Sequence, residues 1–136
     1  MQQRRDSFRL PRHPASVGLA RRRVRDRLTE WGHGPGDPAL DDTLLLVSEL
    51  ATNVVRHGPL MEREFEVVVT GLGDGSLLIE VSDDDRTAPR PRPVALLDET
   101  GRGLHIVEHV ATAWGVRPRG PLGKTVWALL RPPPPP

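Results

Sequence analysis

The chain has 136 residues, a formal net charge of +1 and no cysteine. That length suits one domain with a real core, and the near balance of acids and bases removes the global field that would argue for nucleic acid or an acidic membrane surface. Without thiols, disulfides, zinc-cysteine sites and thiol catalysis are excluded.

The opening MQQRRDSFRL has no apolar core of the kind a signal peptide needs, and no later run approaches the length of a membrane span, so a cytoplasmic protein with no membrane partner is expected. Residues 6–10 read as a short edge strand closed by Pro11. Val17, Ala20, Val24, Leu28 and Trp31 then recur at the spacing of a helix with one buried stripe, which ends at Gly32. The same helix carries Arg21, Arg22, Arg23, Arg25 and Arg27, read as a solvated face opposite the stripe. No aromatic residues interleave with them, so direct nucleic-acid binding is not expected.

Residues 32–38 are turn chemistry, and Asp41 or Asp42 is the expected cap of the next helix. This second helix holds Leu44 to Gly58, LLLVSELATNVVRHG. At 100° per residue it gathers Leu46, Val47, Leu50, Ala51 and Val54 on one apolar face, with Glu49 and Asn53 one turn apart at its edge. A carboxylate and an amide beside a buried surface need partners; the pair suits a base and a metal ligand, or else a polar helix edge.

Residues 64–70 and 76–81 form an expected hairpin around Gly71-Leu72-Gly73-Asp74-Gly75. The alternating strand continues into Asp83, which either begins a turn or serves a site. Residues 84–102 carry Pro89, Pro91 and Pro93 without a sustained period and read as a lid. Gly101-Arg102-Gly103 opens an apolar-periodic helix from Leu104 to Ala113; glycines before a helix leave free backbone N–H groups at a positive dipole end, the basis of phosphate binding. Residues 114–117 and 124–130 complete a second hairpin, and residues 132–136 are a solvated proline tail beyond a single domain spanning 1–131.

Two motifs are set aside. Gly123-Lys124-Thr125 imitates part of a phosphate loop, but Pro118 stands where such a loop needs glycine and a strand, not a helix, follows. His105-x-x-Glu108-His109 has the spacing of an inverted zinc site, yet no Asp, Glu or His follows His109, and the three residues fall opposite Leu104, Val107, Val110 and Ala111 on the wheel.

The order strand, helix, helix, hairpin, lid, helix, hairpin predicts an α+β two-layer sandwich, with helices on one face of a mixed, mostly antiparallel sheet. SELATNVVRHG, VSDDDRTAPRPR, GRGLHIV and GKTVWALL together resemble the nucleotide-binding boxes of the GHKL ATPases. The likeness is to small actinomycete regulators related to the anti-sigma factor serine/threonine kinases, and it covers roughly residues 10 to 131. It implies the Bergerat, or histidine kinase-like ATPase, fold with ATP and Mg2+ bound. It further implies Glu49 as catalytic base, Asn53 as magnesium ligand, Asp83 as reader of the adenine amine, and Thr125 beside the adenine in a network with Asp83. Gly101, Arg102, Gly103 and Leu104 are implied around the phosphates, and Arg56 and His57 as pocket-wall or structural residues. The implied activity is transfer of the ATP gamma-phosphate to a serine of an antagonist protein, with a sigma factor as the second partner and a homodimer as the assembly. The rival readings are a non-catalytic ATP-binding switch of the same fold, fed by Asp84-Asp85-Arg86-Thr87 where glycines are usual, and a histidine kinase catalytic domain whose phosphoacceptor comes from a partner. A zinc hydrolase is the remaining alternative.

Overall fold

The computed structural model describes residues 3–56, 63–83, 101–120 and 123–133, residues 101–104 by their backbone. The expected lid up to residue 100, His57 and the end of the proline tail lie outside the described residues.

Among the described residues, five strands and three helices follow in chain order: β1 (Arg4–Pro11), α1 (Ala15–Glu30), α2 (Pro38–Arg56), β2 (Glu64–Gly71), β3 (Leu77–Asp83), α3 (Gly101–Val110), β4 (Ala113–Arg119) and β5 (Gly123–Leu130). The sheet order is β1-β2-β3-β5-β4, so β1 is an edge strand as its sequence suggests. Every neighbouring pair is antiparallel. The expected mixed character is therefore corrected. The connection through α3 delivers β4 in the same direction as β3, but β5 pairs between them, and no two parallel strands become neighbours.

Alternation assigns the two faces. Phe65, Val67 and Val69 of β2, Leu77, Ile79 and Val81 of β3, and Val126 and Ala128 of β5 join Ala20, Val24 and Leu28 of α1 and Leu46, Val47, Leu50, Ala51 and Val54 of α2 in one buried core. α2 is the central helix, with α1 and α3 both packed on it and β3 beneath. The opposite sheet face has no helix among the described residues. Its strands are laced by polar pairs instead: Ser7 Oγ donates to Glu66 at 2.9 Å, Arg119 pairs with Glu66 at 2.9 Å, and Arg117 pairs with Glu80. At Gly115 on β4 a Cβ would lie 2.8 Å from the Trp127 indole, which accounts for the glycine there.

Three local expectations change. α2 is capped by Asp37, whose Oδ1 accepts the Ala39 N–H at 2.9 Å, with Pro38 at the first helical position; Asp41 lies inside the first turn. α3 starts at Gly101 and ends at Val110, so Ala113 belongs to β4 and the two glycines form the first turn of the helix rather than its approach. The arginines of α1 are not all solvent face. Arg23 and Arg27 both reach Asp6 of β1, at 3.2 and 3.5 Å, and Arg23 stacks over Phe8, which ties the helix to the edge strand. Asp6 lies on a separate element, and no helical wheel shows it.

Candidate nucleotide site

The site lies where α2 ends over β3. The apolar stripe of α2 is anchored by Leu46, Val47, Leu50 and Ala51, each at most 1% exposed, so the helix has one allowed rotation about its axis. That rotation half-buries Glu49 and buries Asn53. Among the described residues, Asn53 Oδ1 has no hydrogen-bond partner. A buried acceptor without a donor costs about 1–3 kcal/mol, and it is the kind of group a hard cation satisfies through oxygen. A magnesium ion would fit that need, and Asn53 Oδ1 would be its protein ligand.

Asp83 ends β3 on the helix side of the sheet, in register with Phe65 on one side and Lys124 on the other. Its carboxylate is mostly buried and forms an ion pair with Arg12, Nη1 to Oδ1 at 3.5 Å. The Arg12 side chain is 3% exposed, and its Nη2 donates to the Val54 carbonyl at 3.3 Å. One guanidinium thus spans the gap from Asp83 to the residue next to Asn53. The α2 backbone beside Asn53 and the Asp83 carboxylate, on separate elements, thus meet at one guanidinium.

Thr125 does not share it. Successive strand side chains point to opposite faces, and Thr125 is in register with Ser82, not Asp83. Its hydroxyl lies 2.7 Å from Ser82 Oγ, a buried pair on the face away from the helices. The network expected between Thr125 and Asp83 is replaced by one between Asp83 and Lys124. Burial holds the Lys124 ammonium below its ordinary pKa; the Asp83 carboxylate opposes that shift and the Arg12 charge adds to it. Arg12 and Lys124 were both missed from sequence. A register count from Asp83 across to β5 points to Lys124, whereas nothing local in LPRHP marks Arg12.

The backbone of Gly101, Arg102, Gly103 and Leu104 forms the first turn of α3, whose N–H groups have no intrahelical acceptor and sit at the positive end of the helix dipole. α3 is held by Val107, fully buried against α2. His105, Glu108 and His109 are exposed on its other side, with His109 Nδ1 2.9 Å from the His105 carbonyl, as a solvated helix face requires. Gly123-Lys124-Thr125 opens a strand, and the phosphate-loop reading ends there. Among the described residues no helix is long and apolar enough to cross a membrane.

Known structures share this fold. The chain is 34% identical over 76 residues to the uncharacterized protein SCO4941 of Streptomyces coelicolor, an overlap of 54% of this chain and 71% of that protein. Its fold is similar to that of the RsbU and RsbW domains of Rv1364c from Mycobacterium tuberculosis, with a TM-score of 0.70 and 21% identity over 94% of this chain; the match spans only 32% of the Rv1364c chain. It is also similar to a chain of the SiaB-SiaC complex from Pseudomonas aeruginosa, with a TM-score of 0.59 and 16% identity, covering 92% of this chain and 88% of the other. Residues 10–130 match the family model for the histidine kinase-like ATPase domain. With α2 carrying Glu49 and Asn53, β3 ending in Asp83 and a glycine-bearing turn opening α3, the chain belongs to the histidine kinase-like ATPase domain family.

Proposed function

We propose that this chain is an ATP-binding regulator that transfers the gamma-phosphate of ATP to a serine of an antagonist protein and thereby controls a sigma factor. The observation that carries the reading is Asn53 Oδ1, buried and without a partner among the described residues, one helical turn from Glu49. Membership of the kinase-like ATPase family supports nucleotide binding, and the fold shared with an RsbW domain and with a chain of the SiaB-SiaC complex supports a protein partner. A homodimer and a cytoplasmic location belong to the same reading.

The division of labour follows from side-chain chemistry. Asn53 would contribute the amide oxygen that holds magnesium. Such an ion would supply positive charge to offset that of the phosphates. Glu49 takes the proton of the attacking serine hydroxyl. Asp83 accepts a hydrogen bond from the exocyclic amine of adenine, which guanine replaces with a carbonyl. The first-turn N–H groups of α3 donate to phosphate oxygens.

Glu49→Gln tests the catalytic part, because it keeps the shape of the side chain and removes its basicity. ATP affinity should stay within a few-fold of the parent, while transfer of labelled phosphate to the antagonist falls by about 10²–10⁴. Equal transfer by parent and variant would make Glu49 a polar residue at a helix edge. A parent that binds ATP and transfers nothing to any antagonist would leave the chain as a binding switch.

A further inference from the structure

Burying an arginine is costly, and a buried ion pair is often no more stabilising than apolar residues of the same size. Arg12 is nonetheless 2% exposed, whereas Arg4, Arg5, Arg9, Arg21, Arg22 and Arg25 of the neighbouring elements are exposed. It sits in the turn between β1 and α1. Its own N–H donates to the Arg63 carbonyl at 2.9 Å, and Ser16 Oγ donates to the Pro11 carbonyl at 2.7 Å, so the turn that launches the side chain is itself pinned.

From that turn the guanidinium reaches two elements of the candidate site. Nη2 donates to the carbonyl of Val54 on α2, and Nη1 faces Asp83 Oδ1 at the end of β3. The guanidinium is planar, carries a fixed charge and presents its donors in a rigid fork, so fixing one arm on α2 fixes the direction of the other. A carboxylate has two oxygens. With Arg12 facing Oδ1 at 3.5 Å, the pair constrains how the carboxylate turns and so where its second oxygen points.

We propose that Arg12 is a positioning residue for nucleobase recognition: it sets the orientation of the Asp83 carboxylate against α2, so that the carboxylate reads the 6-amino group of a purine. This rests on the nucleotide-binding reading and deepens it. Arg12 acts through Asp83 and not through contact with the phosphates, so its removal should change which base is bound more than how the rest of the nucleotide is held.

The test is calorimetric titration of the full chain with magnesium-ATP and with magnesium-purine riboside triphosphate, which differs only in lacking the 6-amine. The parent should prefer ATP by about tenfold or more, the worth of one charge-assisted hydrogen bond. Arg12→Met should reduce that preference to within about threefold while affinity for the amine-free analogue changes little. In an Asp83→Asn background, adding Arg12→Met should have no further effect on ATP affinity. If Arg12→Met does not fold, as judged by circular dichroism, Arg12→Lys, alone and combined with Asp83→Asn, carries the test. A single ammonium replaces the fork in Arg12→Lys, and its preference should fall below that of the parent. The proposal is overturned if the preference is unchanged, if both nucleotides weaken by the same factor, if ATP binds more tightly without Arg12, or if Arg12→Met costs as much in the Asp83→Asn background as in the parent. A parent that binds neither nucleotide overturns the nucleotide-binding reading itself. A parent that binds both equally leaves that reading standing and removes the role of Asp83, and with it that of Arg12.

Discussion

Replacing Asn53 by leucine should separate what this residue does for folding from what it does for function. Asn53 Oδ1 is buried without a donor among the described residues, within a helix whose neighbouring Val54 and Val55 are also buried. Leucine has nearly the same branching at Cγ and no polar atom. The variant should recover part of the roughly 1–3 kcal/mol that an orphaned buried acceptor costs, less whatever the amide nitrogen contributes, for a net gain of about 1 kcal/mol. Unfolding entropy near 2.1 cal/mol/K per residue gives about 0.29 kcal/mol/K for this length, so Tm should rise by about 3–4 °C. The parent, at a ligand concentration about one hundred times Kd, should gain about 2.7 kcal/mol from magnesium-ATP, or about 9 °C. The leucine variant should lose most of that gain. Thermal unfolding followed by circular dichroism, with and without magnesium-ATP, reads both quantities in one experiment. A variant less stable than the parent yet still stabilised by magnesium-ATP would refute the assignment, because Asn53 would then be a structural residue with a hidden partner.

Lys124 is the only lysine, and the chain has neither tyrosine nor cysteine, so between about pH 9 and 11 it is the one side chain whose ordinary titration falls in the window. Its folded pKa is lowered, chiefly by burial, so the unfolded chain holds the proton more tightly and stability should rise with pH from the folded value up to about 10.4. Urea unfolding should show that slope in the parent and a flat line in Lys124→Met; equal slopes would remove Lys124 as its source. Asp37→Ala should cost about 1 kcal/mol at neutral pH through loss of the α2 cap. The Asp37 carboxyl is held below its ordinary pKa, first by the hydrogen bond with His33 and then by the Ala39 amide, so this difference should be full above about pH 4 and vanish as pH falls through the folded value. A difference that persists in acid would mean that the carboxylate charge is not what caps the helix.

Much of this architecture is legible in residue spacing. The stripe from Leu46 to Val54 and the alternation in 77–81 reflect burial on one face, and one buried face dictates the local period. The same stripe fixed the direction in which Asn53 points. What escaped depends on residues distant in sequence. Arg12 meets Asp83 only after β1 and β3 are assembled on either side of β2, and Thr125 loses its expected place to Lys124 because register, not adjacency, decides which side chain faces the helices. The cap differs for a local reason: Asp41 and Asp42 are acceptable capping residues by type, but the proline of Asp37-Pro38 marks the first helical position more strictly.

The central claim is a site that reads adenine through a carboxylate and holds phosphate through magnesium and Asn53, and titration calorimetry of the full chain tests it most directly. Magnesium-ATP should bind, magnesium-GTP should bind about ten- to hundredfold more weakly, and Asp83→Asn should reduce ATP affinity by a similar factor. Equal affinity for the two nucleotides, or no heat from either, would contradict it.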